Sequence, residues 1–392
     1  MDAVLNSLTS MLDSLAWPDG ARHVDTATIT ALVLGSADPT AADEPTAGRP
    51  VPPPPHRLTV AQTLASTTPP LVAGTAGQVF ATLAAVAAGD VATARVVEPH
   101  LDALTILAQA GVEVPAGSTW GVYAAEAPGL RLEARDAATD TDAGTDTDAG
   151  TDTDAADSVV LDGTKPWCSL ASTLSHALVT THVGQERQLV AVSLRQTGVV
   201  PHDDVWVARG LPDVPSGPVD FTAVRASTVG EPGWYLRRPG FAWGGIGVAA
   251  CWWGGAVGLA RVLRAHAAAR PESELLRAAL GSVVADLADA EDALAGAARR
   301  IDDSAGTTDD SAATDDATDW PLLAQVVRSR VRRAVDAVRT QVVRSIGPGP
   351  LTSDPAVAAR VADLELYVLQ DHGDRDLARI GRMVLQRGGV AW

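Results

Sequence analysis

Apolar residues recur at three- and four-residue steps from the start of the chain. Val4, Leu5, Leu8, Leu12 and Leu15 share one face and predict an amphipathic helix. The proline run Pro52 to Pro55, with Ala, Thr and Gly ahead of it, interrupts this pattern and predicts a loop over residues 38–55. Helical spacing resumes at Thr59. It predicts a small-residue helix from Thr75 to Ala88, ended by Gly89-Asp90, and another from Val91 to Ala110, closed by Gly111. From about Gly117 the pattern becomes strand-like. Strands are expected at Trp120 to Ala125, Leu130 to Ala134, Val159 to Leu161, His176 to His182, Gln188 to Leu194, Val205 to Val207, Val219 to Arg225 and Ser227 to Val229. Asp162-Gly163 reads as a tight turn between Val159-Val160-Leu161 and Pro166-Trp167-Cys168-Ser169. Pro239-Gly240 ends the strands. Four helices are then predicted, at Phe241 to Ala269, Leu275 to Ile301, Trp320 to Ile346 and Pro355 to Leu385.

The order helices, strands, helices implies an α+β chain with three consecutive domains: 1–117 helical, 118–239 β and 240–392 helical. A length of 392 residues is ample for several cores. Net charge is −18, but it is concentrated: residues 136–157 carry eight Asp, residues 302–319 carry seven, and neither stretch has Lys or Arg. The first stretch contains three copies of a Thr/Asp unit, starting at Thr139, Thr145 and Thr151. It lacks the apolar and Gly spacing of a calcium loop and reads as a solvated excursion between strands. Without a basic face, nucleic acid and anionic membrane surfaces are not expected partners. Two cysteines, Cys168 and Cys251, exclude a disulfide framework and a cysteine zinc cage. The apolar stretch Phe241 to Ala260 has the length to span a bilayer. Its Gly and Ala content, and its continuation into Arg261, Arg264 and His266, point instead to a packed helix. No secretory leader pattern opens the chain, so a cytoplasmic protein is expected.

Two groups of residues have the makings of a site. Glu98, His100 and Asp102 are the right types for a metal, but ligands on a helix need spacings of three or four. Solvated or helix-capping roles are expected instead, and no metal. Trp167 and Ser169 alternate along an extended segment. A strand can present both on one face, the indole laid against a planar ligand and the hydroxyl bonded to its edge; the alternative is a tryptophan in the core.

Several words along the chain resemble the FAD-dependent acyl-CoA dehydrogenase superfamily. They are Gly163-Thr-Lys-Pro-Trp-Cys-Ser169, like the family's G-x-K-x-W-[IC]-[TS]; Ala171 to Val179; the Gly/Ala-rich Gly240 to Ala260; and Glu98 to Gly111. The resemblance implies an N-terminal helical domain, a middle β-barrel or sandwich domain and a C-terminal four-helix bundle. It implies FAD, with Trp167 packed on the flavin, the Ser169 hydroxyl near its N5, and Tyr123 to Ala125 on a strand giving further contacts. It also implies phosphate contacts from a neighbouring subunit of a homodimer or homotetramer. Arg270 resembles the family's R-x-x-F-G arginine, without the Phe and Gly. Arg344 to Gly347 resembles its Q-x-x-G-G segment, with Arg for Gln and Pro348 for the second Gly.

The chemistry so implied is oxidation of the Cα-Cβ bond of an acyl-CoA, using a carboxylate base and passing electrons to an acceptor flavoprotein or reductase. The family's base on the first bundle helix is missing, since Phe241 to Arg270 contains no Asp or Glu. Counting on from Asp363, which resembles the Asp of the family's R-D word, the C-terminal base position falls on Asp371. His372 is the alternative base, and a third reading has this segment only capping the last helix. Three functions follow: a dehydrogenase, a flavin-dependent monooxygenase that needs no carboxylate base, and a non-catalytic member kept as a structural or binding subunit.

Overall fold

The computed structural model describes residues 17–36, 51–137, 158–306 and 318–387. The helix expected over Val4 to Leu15, most of the 38–55 stretch, the Thr/Asp repeats and the middle of the 302–319 stretch lie outside the described residues. Two compact units are present. One, helical, comprises Met1–Glu98, Arg209–Leu211 and Ala242–Trp392; the other, mainly sheet, comprises Pro99–Ala208 and Pro212–Phe241.

In chain order the helices are α1 (Asp19–Arg22), α2 (Thr26–Val33), α3 (Pro54–Ala65), α4 (Ala76–Gly89), α5 (Val91–Gln109), α6 (Trp234–Arg237), α7 (Pro239–Ala268), α8 (Glu274–Asp303), α9 (Trp320–Ile346), α10 (Pro348–Ser353), α11 (Pro355–Tyr367) and α12 (Asp374–Gln386). In the helical unit α4 is buried along almost its whole length and packs against α1, α2 and α8. Glycine lets α7 approach it closely: a Cβ on Gly254 would stand 2.1 Å from the Ala84 carbonyl oxygen. Among the described residues α7 is the helix long and apolar enough to cross a membrane, and 89% of its most apolar window is buried in the fold.

Two helix predictions change. The proline run does not stay a loop, because Pro54 and Pro55 start α3, where a missing N–H costs nothing. The single helix predicted from Pro355 to Leu385 breaks at Asp371 to Gly373. Gly373 adopts φ 58°, which a helix cannot contain, and its N–H is taken by the Asp371 carboxylate at 2.8 Å.

The strands are β1 (Trp120–Tyr123), β2 (Leu132–Asp136), β3 (Ser158–Lys165), β4 (His176–Val183), β5 (Glu186–Ser193), β6 (Val199–Pro201) and β7 (Val219–Val229). One edge of β4 pairs with β5 along its length. The other carries β1, in parallel from Trp120↔His176 to Tyr123↔Val179, and then β2 at His182. Since β2 pairs β3, β3 pairs β7 and β7 pairs β5, the hydrogen-bonded strands close on themselves as a barrel does.

Asp162-Gly163 is therefore not a turn. β3 runs through it with a bulge between Leu161 and Gly163, and the Asp162 carboxylate accepts from Ala223 N–H of β7 at 2.9 Å. Gly163 has φ 120°, and a Cβ there would lie 2.2 Å from the Arg131 carbonyl oxygen. The Glu98, His100, Asp102 group also differs from expectation. His100 is buried and its Nδ1 accepts the Trp120 N–H at 3.3 Å, while burial lowers its pKa to about 4. Asp102 lies 3.8 Å from Arg238.

In the helical unit Trp17 is 1% exposed and donates its Nε1–H to Glu291 Oε1 at 2.9 Å. Burial raises the Glu291 carboxyl from 4.5 to about 7; the Trp17 bond opposes the shift and Asp292 adds to it. A carboxyl with a raised pKa stabilises the fold fully below its unfolded value and loses that contribution as pH climbs through the folded one. Thermal melts should therefore lose up to about 3 kcal/mol of stability as pH rises from 4.5 to about 7, and Glu291→Gln should remove that component of the pH dependence. Gly163→Ala should lower the melting temperature by an amount equivalent to more than ~1 kcal/mol, because both its φ and its carbonyl neighbour exclude a methyl group.

Candidate functional site

In the sheet unit the residues after β3 form a strained, largely buried turn from which Trp167 projects. Trp167 has φ 60° and Leu170 φ 59°, left-handed values that cost a bulky L-residue about 1 kcal/mol or more. The turn is held from several sides. Cys168 N–H bonds the Gly217 carbonyl at 2.9 Å, Leu170 N–H bonds the Pro215 carbonyl at 2.8 Å, and Tyr123 Oη donates to the Ser169 carbonyl at 2.9 Å. The Ser169 and Ser216 hydroxyls are 2.7 Å apart.

The expected extended segment with two residues on one face is thus a turn that separates them. Trp167 is 57% exposed, whereas Ser169 is buried. The core alternative for Trp167 is excluded. Tyr123 is buried with its hydroxyl spent on the turn, so it supports the site from behind, and Ala125 is exposed just past the end of β1. Burial pushes the Cys168 thiol up, which keeps it protonated and unreactive.

Behind Trp167 lies a group that the sequence did not single out. Lys165 ends β3 with its side chain inside the sheet unit. Its Nζ donates to Glu126 Oε1 at 2.8 Å, the Thr180 carbonyl at 2.8 Å and Thr180 Oγ1 at 2.9 Å. Burial lowers the lysine's pKa, and the Glu126 hydrogen bond and charge oppose the shift. Burial also works to raise Glu126, but Lys165, His182 and Arg187 overcome it and hold the carboxyl below its ordinary value. Lys165 sits in the same word as Trp167, so its presence was visible; its partners come from other strands and left no local trace.

In the helical unit the helix break brings Asp371 and His372 together. An open surface depression of about 310 Å³ is lined by Arg332, Leu369, Asp371, His372, Gly373 and Arg375. Asp371 Oδ1 accepts from Gly373 N–H and, at 3.3 Å, from Arg332 Nη1; Oδ2 is buried without a hydrogen-bond partner. His372 has a 64% exposed side chain, with Nδ1 3.6 Å from Asp376 Oδ2. Beneath them Arg328 donates to the carbonyls of Gly245 and Gln370 and lies over the Trp252 ring at 4.6 Å. The residues expected at phosphates are separate from this group. Arg270 is exposed in the link between α7 and α8 and bonds the His266 carbonyl at 3.4 Å, while Arg344 is exposed one turn before Gly347, which ends α9 at φ 70°.

An open indole face fits a planar ring such as a flavin's, whereas the Ser169–Ser216 hydroxyl pair is turned inward. The phosphate-binding words fit less well, since Arg270 lacks the Phe and Gly of its word and Arg344 keeps Gly347 but has Pro348 for the second glycine.

No protein-family model matches the chain, and no curated protein matches it in sequence. Solved structures do resemble it. The dibenzothiophene monooxygenase TdsC from Paenibacillus sp. A11-2, in complex with FMN and indole, superposes with a TM-score of 0.69 at 14% identity over 93% of this chain and 96% of its own. KijD3 in complex with FMN and a dTDP-linked amino-keto sugar gives 0.69 at 15% identity over 95% of each chain. A glutaryl-CoA dehydrogenase from Mycobacterium smegmatis with FADH2 gives 0.67 at 14% identity over 98% of this chain and 99% of its own. At these identities the likeness concerns the fold, and the chain is a divergent example of the acyl-CoA dehydrogenase-like fold that its sequence words resemble.

Proposed function

We propose that the protein is a flavin-dependent oxidoreductase of the monooxygenase type. The observation that carries the flavin assignment is Trp167, a large aromatic held outward in a left-handed conformation between the end of the β3–β7 ladder and the bonds of Cys168 and Leu170. Such strain persists only where its surroundings over-determine it, and it is concentrated at functional sites. Bound there, a flavin would supply the electron or oxygen chemistry that side chains lack. Trp167 offers the ring a face, Tyr123 keeps the turn in place, and the Ser169 hydroxyl, spent on Ser216, which itself donates to the Val214 carbonyl, braces the turn from inside. Arg270, Arg344 and Gly347 are the candidates for phosphates, contributed by a second copy in a homo-oligomer. FAD is what the sequence words imply; the altered phosphate words favour FMN, which the TdsC and KijD3 structures contain.

The choice of reaction rests on the missing base. α-Proton removal from a thioester needs a carboxylate oxygen that can touch the substrate. Oδ1 of Asp371 is engaged by Arg332 and Gly373, and Oδ2 is shut off from the surface, so Asp371 reads as the clamp of the helix break. His372, exposed and lining the depression, is the side chain assigned to proton transfer in this reading. The dehydrogenase reading keeps one observation in its favour, the unpartnered Oδ2 of Asp371.

Purified protein titrated with FMN and with FAD should bind both, FMN at least as tightly. Trp167→Ala should weaken binding roughly fivefold, the equivalent of about 1 kcal/mol of lost stacking. A wild-type protein that binds neither flavin would remove the oxidoreductase reading and leave the non-catalytic one. Acyl-CoA thioesters added without oxygen should fail to bleach the bound flavin. Asp371→Asn should cost ~2 kcal/mol of stability through the loosened helix break. Bleaching by a thioester that slows in Asp371→Asn would instead establish the dehydrogenase.

A further inference from the structure

The word that carries Trp167 also carries a buried cation that no reaction step uses. Lys165 is 1% exposed at the last position of β3, with Pro166 between it and the strained tryptophan. A lysine is rarely so buried unless its charge is matched, and here it has three acceptors: the Glu126 carboxylate just beyond β1 and both oxygens of Thr180 on β4. One acceptor lies on β4 and the other in the segment after β1, neither of which is paired with β3, so the ammonium ties the end of β3 to parts of the sheet unit its own ladder does not reach. On the far side of Trp167 the turn is already fixed, by Cys168 to Gly217, Leu170 to Pro215 and Tyr123 to Ser169. On the near side Pro166 has no N–H to donate; the Lys165 backbone is the last pair of the β3–β7 ladder, opposite Val219, and Nζ adds bonds to segments which that ladder does not reach. The Cys168 thiol, 3.3 Å from the Lys165 carbonyl, closes the turn across Trp167 itself.

We propose that Lys165, through Glu126 and Thr180, is the positioning residue of the ring-binding turn, holding the exit of β3 so that Trp167 keeps its left-handed backbone and outward indole. This rests on the flavin reading for its purpose, but the mechanical claim stands apart from it. Its consequences fall on Trp167 first and on the rest of the sheet unit little, because the other strand pairings do not pass through the lysine. Glu126 retains His182 at 3.4 Å and Arg187 at 3.9 Å when Lys165 is changed, so its carboxylate is not stranded.

The test labels the full-length protein with 5-fluorotryptophan and follows its ¹⁹F resonances, with Trp167 assigned through Trp167→Phe and Trp120 serving as the internal reference in the same unit. Lys165→Met, which keeps the length and removes the charge, should broaden or split the Trp167 line while leaving Trp120 in place. Glu126→Gln should give the same change to a smaller degree. If flavin binds the wild type, its affinity should fall roughly fivefold in Lys165→Met, the size of the Trp167 stacking contribution. Should Lys165→Met not fold, Glu126→Gln alone carries the test. An unmoved Trp167 line in a folded variant, or Trp120 and Trp167 changing together, would overturn the proposal. Absence of flavin binding by the wild type would overturn the flavin reading and leave the ¹⁹F result to decide the role of Lys165.

Discussion

Helix α4 has an almost wholly apolar sequence and lies inside the helical unit, so its unpaired end groups have no water to turn to. Distant charges meet both ends. At the N-terminus, Asp302 at the end of α8 accepts from the N–H groups of Ala76 and Gly77, at 2.6 and 3.1 Å. At the C-terminus, Arg360 of α11 donates to the carbonyls of Ala88 and Gly89, at 3.0 and 2.5 Å. The signs match the helix dipole at each end, anion at the start and cation at the finish. The same arginine and Gly258 show how closely α7 and α11 are drawn in, since a Cβ on Gly258 would stand 2.1 Å from Arg360 Nη1. The helical unit is thus arranged around one buried helix whose ends must be satisfied from elsewhere.

The sheet unit meets the same constraint at its one deeply buried lysine. Removing a charge from water is tolerable where hydrogen-bonding partners are already in place, and Glu126 and Thr180 are placed by strands that pair independently of Lys165. The result is a rigid wall from which a strained turn can project. Rigid scaffolds that carry exposed loops are where binding residues are found, and Trp167 has that placement.

Periodicity made the helices legible. The helix from Trp320 to Ile346 matches its prediction, and α7, α8 and the strands β3, β4 and β5 lie within a few residues of theirs. What failed was punctuation whose meaning depends on partners far away. Asp-Gly reads as a turn from its own preferences, yet β7 pairs across it and the Asp162 side chain bonds the bulged strand. Pro54 and Pro55 read as breakers, though the first turn of a helix accepts them. The break at Gly373 was hidden because glycine inside a helical pattern is ordinary, and the bond from its N–H to Asp371 has no signature in sequence. At the site, the tryptophan and serine were visible as a word. Their opposite exposures were not, because they follow from a left-handed backbone that no propensity assigns to tryptophan.

The absence of an acid between Phe241 and Arg270 also has a packing cause. From Ala249 to Ala260 every residue of α7 is buried, and Gly254 and Gly255 already stand against the Ala84 backbone and the side chains of Leu364 and Val91. A carboxylate there would need room, which the close approach at Gly254 and Gly255 leaves none of. At the break between α11 and α12 a carboxylate is present, but Arg332 and the Gly373 N–H draw it into holding the chain. Both carboxylate positions are thus governed by packing and chain geometry, and the Trp167 turn is the feature on which the proposed flavin reading rests.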